Sequence, residues 1–218
     1  MTALLSEATR VRDLIAEVGR SLFDRGYTHG STGNISVRLS DGTMLMTPTN
    51  ASLGALEPER LSHLDHLCNH IAGDKPTKEA FLHTCMYCQR SNAQAVVHLH
   101  STYSVAASIR ADVDTSNVLP PLTAYYVMRV GRLPLVPYFA PGDRQLALAV
   151  EAAARDHHAV LMANHGPVVA GHTLREAQYA IEELEETAKL VLLLDGKSIK
   201  ALTEEQVSAL ARRLLIGD

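Results

Sequence analysis

Residues 95–102, Ala-Val-Val-His-Leu-His-Ser-Thr, are the stretch whose reading decides the fold. Ala95, Val96, Val97 and Leu99 surround two histidines two positions apart, and the β-branched pair makes the segment a strand. Successive strand side chains point to opposite faces, so His98 and His100 share one face and Leu99 takes the other. Two imidazoles on one face can chelate one metal ion; the plainer alternative is two histidines at a strand end, each bonded to backbone. Ser101 or Thr102 can cap a helix that begins immediately after, which sets the pair at a strand-to-helix switch, where α/β proteins commonly place ligands.

Working outward, Ala159–Met162 reads as a buried strand that runs into Ala163-Asn164-His165-Gly166-Pro167, with Val168–Ala170 resuming the strand. A turn bounded by glycine and proline aims His165 rigidly, and a third imidazole completes the His₃ set that leaves a catalytic zinc an open position. Upstream, Gly73-Asp74-Lys75-Pro76 is a turn, after which Thr77 caps a helix to about Arg90 carrying Glu79 in its first turn. The helix dipole favours a carboxylate there; the functional alternative is that Glu79 faces the histidine pair as metal ligand or proton-transfer base.

At 218 residues, 46% of them hydrophobic and 20% charged, the chain is long enough for one large domain, 1–218, with a full core. A net charge of −4 without a clustered Lys/Arg run gives no footprint for nucleic acid, and no apolar run approaches a membrane span. The N-terminus, MTALLSEATRVRDLI, is charged too early for a signal-peptide core, so the expected location is the cytoplasm. Cys68, Cys85 and Cys88 make no disulfide framework, and the lone Cys85-x-x-Cys88 within a helix reads as free thiols.

The remaining elements read as scaffold. Ser6 caps an amphipathic helix that ends at Gly26, and the loop Thr28–Gly33 leads to a hairpin of Ile35–Leu39 and Met44–Thr47 turned at Asp41-Gly42. Gly30, Gly33 and Asn34 permit close backbone approach to a ligand or make a plain turn. Leu61–Ile71, with His63, His66 and His70, fits a helix with a ligand face or, as Asp65 and Asn69 suit, a strand and turn, its histidines read as exposed or satisfied. Ser101–Arg110 is a helix, Val118–Pro121 an extended loop, Leu133–Tyr138 an edge strand broken by Pro134 and Pro137, and Pro141-Gly142-Asp143 starts another helix. Thr173-x-x-Glu176 is a capping box for a long helix whose Glu182, Glu183, Glu185 and Glu186 read as a solvated face. A last helix, Thr203–Leu215, packs on the body or on a neighbouring subunit.

Gly33–Ser36 (GNIS), Thr47–Thr49 (TPT), Lys78-Glu79, Ala95–Ser101 (AVVHLHS) and Asn164–Gly166 (NHG), in this order, resemble the class II aldolase/adducin family over nearly the whole chain. The resemblance implies an α/β fold, a three-layer α/β/α domain around a mainly antiparallel central sheet, in a homotetramer with active sites at subunit interfaces. Gly73–Glu79, His98–Thr102, Tyr125–Gly131, Tyr138–Asp143 and Ala163–Gly171 look like the 3-oxo-tetronate 4-phosphate decarboxylases within that family. Carried over by position, His98, His100 and His165 match the zinc ligands. Glu79 matches the acid/base carboxylate that can also ligate zinc, one ion per subunit, with another divalent metal as the alternative. Tyr125 or Tyr126 matches a tyrosine lent from the adjacent subunit as proton donor. Gly33, Asn34 and Thr49 match phosphate-loop positions.

Two departures stand out. Asn50 follows TPT where the sugar-phosphate aldolases have glycine, and Asn tolerates positive φ better than most residues. Thr77-Lys78 replaces a Ser-Ser pair: Thr77 keeps a hydroxyl for phosphate, and Lys78 meets a substrate anion or points into water. The implied partner is a small phosphorylated sugar acid. Its decarboxylation and a retro-aldol cleavage pass through the same enediolate, so the metal site alone does not separate decarboxylase from aldolase or epimerase, and the adducin likeness leaves a non-enzymatic interaction module as a third class.

Overall fold

Strand alternation sorts the side chains of one eight-stranded sheet between two cores. The computed structural model describes residues 6–140 and 143–216. The strands are β1 (Asn34–Arg38), β2 (Met44–Met46), β3 (Ser62–Leu64), β4 (His70–Ala72), β5 (Ala95–His98), β6 (Leu135–Val136), β7 (Ala159–Met162) and β8 (Gly166–Gly171), in the order β4-β3-β2-β1-β5-β8-β7-β6. Pairing is antiparallel throughout except between β6 and β7, so the expected mainly antiparallel sheet is present. Around it run α1 (Glu7–Asp24), α2 (Ala80–Gln89), α3 (Thr102–Ile109), α4 (Ala124–Arg129), α5 (Arg144–Ala154), α6 (Leu174–Leu193) and α7 (Glu204–Ile216).

Ile35 and Val37 of β1, Ala95 and Val97 of β5 and Val169 of β8 lie in one core with Ile15, Val18 and Leu22 of α1 and Ile181 and Leu184 of α6. Their strand neighbours Val96, Val168 and Ala170 lie in the other, with Met44 and Met46 of β2, Leu82 and Met86 of α2 and Leu146 and Val150 of α5. Helices therefore cover both faces, which is the α/β/α layering. Each fully buried aliphatic side chain contributes about 1.5–3 kcal/mol, so a one-residue register slip that exchanged the two sets is heavily disfavoured.

Caps bound the helices as the sequence predicts at Ser6, Asp143 and Thr173, whose side chains accept from the backbone N–H of Thr9, Gln145 and Glu176. Of Pro141-Gly142-Asp143, the expected start of α5, the first two residues, like the N-terminal Met1–Leu5, lie outside the described residues. The ambiguous Leu61–Ile71 segment is a hairpin, β3 paired with β4, in which His63 Nε2 meets Thr43 Oγ1 at 2.9 Å while His66 and His70 are exposed. The two prolines near β6 keep it short and at the sheet edge. The last helix, α7, packs on α4, with the Leu202 N–H bonded to the Pro121 carbonyl just before it.

Two expectations are corrected. The α2 helix starts at Ala80, so Glu79 is its N-cap residue rather than part of its first turn, and Thr77 Oγ1 accepts from the Glu79 N–H at 3.2 Å. The glutamate run of α6 is not a solvated face. Glu182 pairs with Arg25 at 2.8 Å, Glu183 accepts from Thr123, and Glu186 accepts from Tyr27. Glu185 is buried, 5% exposed, and accepts from the Tyr103 N–H (2.8 Å), the Ser104 N–H (2.7 Å) and the Ser104 hydroxyl. Those are orphan donors at the N-terminus of α3, where a carboxylate also meets the positive end of the helix dipole. Of the two expected caps, Ser101 or Thr102, Ser101 holds the N-cap position, but its hydroxyl donates to the Tyr27 carbonyl at 2.6 Å and makes no capping bond. Replacing Glu185 by Ala strands three donors, the two on Ser104 buried, and should cost about 2–4 kcal/mol in urea unfolding, and a loss under about 0.5 kcal/mol would remove Glu185 from this role.

Candidate metal centre

The site grows from the middle three strands. Asn34 lies directly opposite His98 in the β1–β5 register and His98 opposite Val168 in β5–β8, so the end of β5 is flanked on both sides. Leu99 belongs to the opposite core, and its N–H still bonds to the Pro167 carbonyl at 3.2 Å, which holds the chain long enough for His100 to return to the face of His98. The turn before β8 brings in His165, with Asn164 at φ 58° and Gly166 at φ 146°. A Cβ on Gly166 would sit 2.2 Å from the Leu99 carbonyl oxygen, so only glycine lets the two backbones approach this closely.

One donor atom from each of Glu79, His98, His100 and His165 lies within 4.8 Å of the others. The imidazole centroids are 4.7–4.9 Å apart, the two Nε2 atoms of His98 and His100 are 3.0 Å apart, and His165 Nε2 is 2.9 Å from Glu79 Oε1. His98 is completely buried, and its Nδ1–H donates to the Pro167 carbonyl at 2.8 Å, which leaves the Nε2 lone pair facing the cluster. With His98 Nε2 bare, the proton between it and His100 belongs to His100. Three imidazoles and a carboxylate are a donor set that holds a divalent metal ion, and loading displaces the protons that the neighbours now share.

Burial pushes the His98 imidazole down to about pKa 3 and lowers that of His100 as well, so both sit neutral, the form that ligates. Burial acts to raise Glu79, but the facing His98 and His165 rings and the Asn34 amide outweigh it and hold the carboxyl well below the usual carboxylate range. Asn34 donates from Nδ2 to Glu79 Oε2 at 2.7 Å.

Beside the cluster, two loops are stitched together. Thr49 N–H bonds to the Lys75 carbonyl (2.9 Å) and Thr77 N–H to the Thr47 carbonyl (3.2 Å), so Thr49, Asn50, Thr77 and Lys78 converge. Asn50 has φ 58°, the conformation expected of it, and Lys78 is exposed. Gly33, at φ +81°, packs against the His98 carbonyl and joins Asn34 to this edge. The Asn34 amide faces Glu79 and the Thr77 hydroxyl at one end and His83 at the other. The tyrosine pair divides cleanly. Tyr125 is 61% exposed, whereas Tyr126 is 1% exposed within the α1–α6 core, so Tyr126 cannot be lent to another subunit and that candidate is corrected. Cys85 and Cys88 are free, and burial pushes the Cys85 thiol up to about 11, an unreactive state.

Residues 13–192 match the model for the class II aldolase and adducin N-terminal domain. The chain belongs to the class II aldolase and adducin family. Its curated relatives include a 3-oxo-tetronate 4-phosphate decarboxylase of Escherichia coli strain K12, 46% identical over 92% of this chain and 94% of that protein. Another, of the same description, from Haemophilus influenzae, is 48% identical over 93% of this chain and 96% of its own length. Among solved structures, YgbL from Escherichia coli superposes with a TM-score of 0.92 at 44% identity, covering 94% of this chain and 99% of that one.

Ser36, His83 and Tyr87, which stand behind Asn34, were not singled out from the sequence. The readable signal is spacing: Glu79, His83 and Tyr87 recur every four residues along one face of α2.

Two predictions test this geometry. Gly166→Ala should lower metal stoichiometry and cost about 2–4 kcal/mol of stability, measured by metal analysis and denaturant unfolding, because the added methyl must push Leu99 away from the cluster. For pH, burial also pushes His83 down to about 3, so it and His98 bind protons in the unfolded chain from about 6.5 downward but in the folded one only near 3. The unfolded state then holds more protons, and the metal-free protein should lose stability steadily as pH falls from 6.5 toward 3. Glu79, lowered by folding, adds its own loss below about 4.5. Urea unfolding from pH 7.5 to 5 checks this, and a flat profile would refute neutral burial.

Proposed function

We propose that this chain, as one domain spanning 1–218, catalyses the decarboxylation of 3-oxo-tetronate 4-phosphate to dihydroxyacetone phosphate and CO₂. The observation that carries the reading is the convergence of Glu79, His98, His100 and His165 beside the two stitched loops, in a chain about 46% identical to decarboxylases of that name. His98, His100 and His165 hold the metal, zinc in this proposal, with Glu79 as a fourth ligand at rest. A divalent cation bound there supplies the Lewis acidity that stabilises negative charge developing as the carboxylate leaves.

The protein's own groups do the rest. Thr49 and Thr77 bind the phosphate through their hydroxyls, Gly33 and Asn50 through backbone N–H groups, and Lys78 supplies a positive charge to one of the substrate's two anionic ends. Asn34 belongs to this edge but serves it by orienting Glu79. The proton that replaces the carboxylate at C2 passes through Glu79 or through Tyr125 of an adjacent subunit. Glu79 is ionised at rest, so it takes a proton from solvent before each delivery, and burial lowers the cost of that step. The assembly in this reading is a cytoplasmic homotetramer with active sites between subunits, acting on a small phosphorylated sugar acid, with no nucleic-acid or membrane partner. No helix among the described residues is long and apolar enough to cross a membrane.

Metal analysis of the purified protein, with CO₂ release from 3-oxo-tetronate 4-phosphate before and after chelation, tests the reading. One zinc per chain and chelator-sensitive release are expected, and His98→Ala should abolish both. Zinc with release of an aldehyde or an epimer in place of CO₂ would move the function to the aldolase or epimerase branch. A metal-free protein would overturn the His₃ assignment and favour an interaction module.

A further inference from the structure

The geometry assigns His83 as a positioning residue: with Ser36 and Tyr87 behind it, it fixes the orientation of the Asn34 amide and, through that amide, the place of the Glu79 carboxylate. This rests on Glu79 working at the site proposed above, but the hydrogen-bond chain is legible without it. His83 is 0% exposed on α2, and Asn34 and Ser36 are 4% and 0% exposed on the β1 face opposite it. His83 Nε2 lies 2.5 Å from Asn34 Oδ1, His83 Nδ1 lies 2.7 Å from Ser36 Oγ, and Tyr87 OH lies 2.9 Å from Ser36 Oγ and 3.1 Å from the Ser36 carbonyl.

The direction of every proton in this chain follows from its ends. The Glu79 carboxylate only accepts, so the Asn34 NH₂ faces it and Asn34 Oδ1 faces His83. That oxygen also only accepts, so His83 carries its proton on Nε2. Both acceptors within reach of the Tyr87 hydroxyl are on Ser36, which leaves the Ser36 hydroxyl proton free for the bare Nδ1 of His83. Complete burial keeps the ring neutral, and the one neutral tautomer that satisfies both neighbours carries its proton on Nε2. Without it the Asn34 amide can turn over and present its oxygen to the carboxylate, repelling Glu79 from its place beside His98 and His165. A histidine that merely fills the core has no reason to hold one tautomer or to change the reaction.

The test uses the full-length protein with nitrogen-15 in its histidines and asparagines. Imidazole NMR should show His83 protonated on Nε2 and bare on Nδ1, and the Asn34 side-chain protons should be protected from exchange. In His83→Leu that protection should fall, and kcat for CO₂ release should drop about 10–100-fold with KM within about threefold and zinc content retained. His83→Gln, which keeps a donor toward Asn34, should recover part of the rate. An Nδ1–H or doubly protonated His83, or a His83→Leu enzyme with the parent kcat, would overturn the assignment, as would a rate loss that tracks metal loss. Should His83→Leu not fold, Ser36→Ala removes only the hydroxyl behind the ring and should release the tautomer and weaken the Asn34 protection; unchanged spectra and rate would overturn the assignment equally. If the parent releases no CO₂, the decarboxylase reading fails while tautomer and protection still decide the role of His83.

Discussion

The register of β5 between its two neighbours is the constraint on which the rest depends. Asn34 opposite His98 on one side and Val168 opposite it on the other place one buried imidazole between the turn that carries His165 and the strand that carries the Asn34–Glu79 bond. Side chains alternate with a period of two, so a slip of one residue would send His98 into the α1–α6 core and Val97 into the metal cluster. The cost of that exchange is counted in buried aliphatic groups on both faces of the sheet. The metal centre is therefore held in place by the hydrophobic sorting of residues that never touch it.

Electrostatics completes what register begins. The neutral His98 and His100 rings stand beside the ionised Glu79 carboxylate, whose charge is the right sign for a dication, and His98 Nε2 offers it a bare lone pair. Each neutral ring must still have its other nitrogen satisfied. For His98 a backbone carbonyl does this, and because that carbonyl belongs to Pro167 at the mouth of β8, the same close approach that requires Gly166 also fixes the His98 tautomer. Backbone geometry and ligand chemistry are here one constraint.

What the sequence disclosed, and what it withheld, follows from the range of the interactions. The period-two alternation of Ala95–His98, the Asp41-Gly42 hairpin, the Gly-Pro turn at His165 and the caps at Ser6, Asp143 and Thr173 are local rules, and all are present. The α6 glutamates misled because exposure was inferred from charge alone, and Glu185 is buried by a partner some 80 residues away that no local pattern announces. Tyr126 misled because α4 is a short helix whose inward face is set by α6 and not by its own periodicity. The grouping of Glu79 with three histidines from distant segments came from the family likeness, since spacing left Glu79 open between dipole and ligand.

Within this fold the metal end and the anion end are built from different materials. The first sits at strand ends around the buried His98 ring, whose tautomer the Pro167 carbonyl fixes; the second, in the proposed reading, sits on loops tied by a few backbone bonds, with Asn50 in a left-handed conformation and Lys78 exposed. Stabilising a developing oxyanion calls for rigid placement, which strand ends provide, and it serves decarboxylation and aldol cleavage alike. Choosing between a substrate that carries a carboxylate at C1 and one that carries an aldol bond calls for differences in charge and shape around the same atoms. Loops can change these without disturbing the sheet. The positive charge at Lys78 and the non-glycine backbone at Asn50 are differences of that kind, and in the proposed reading they lie where a substrate with a carboxylate as well as a phosphate is told from a sugar phosphate without one.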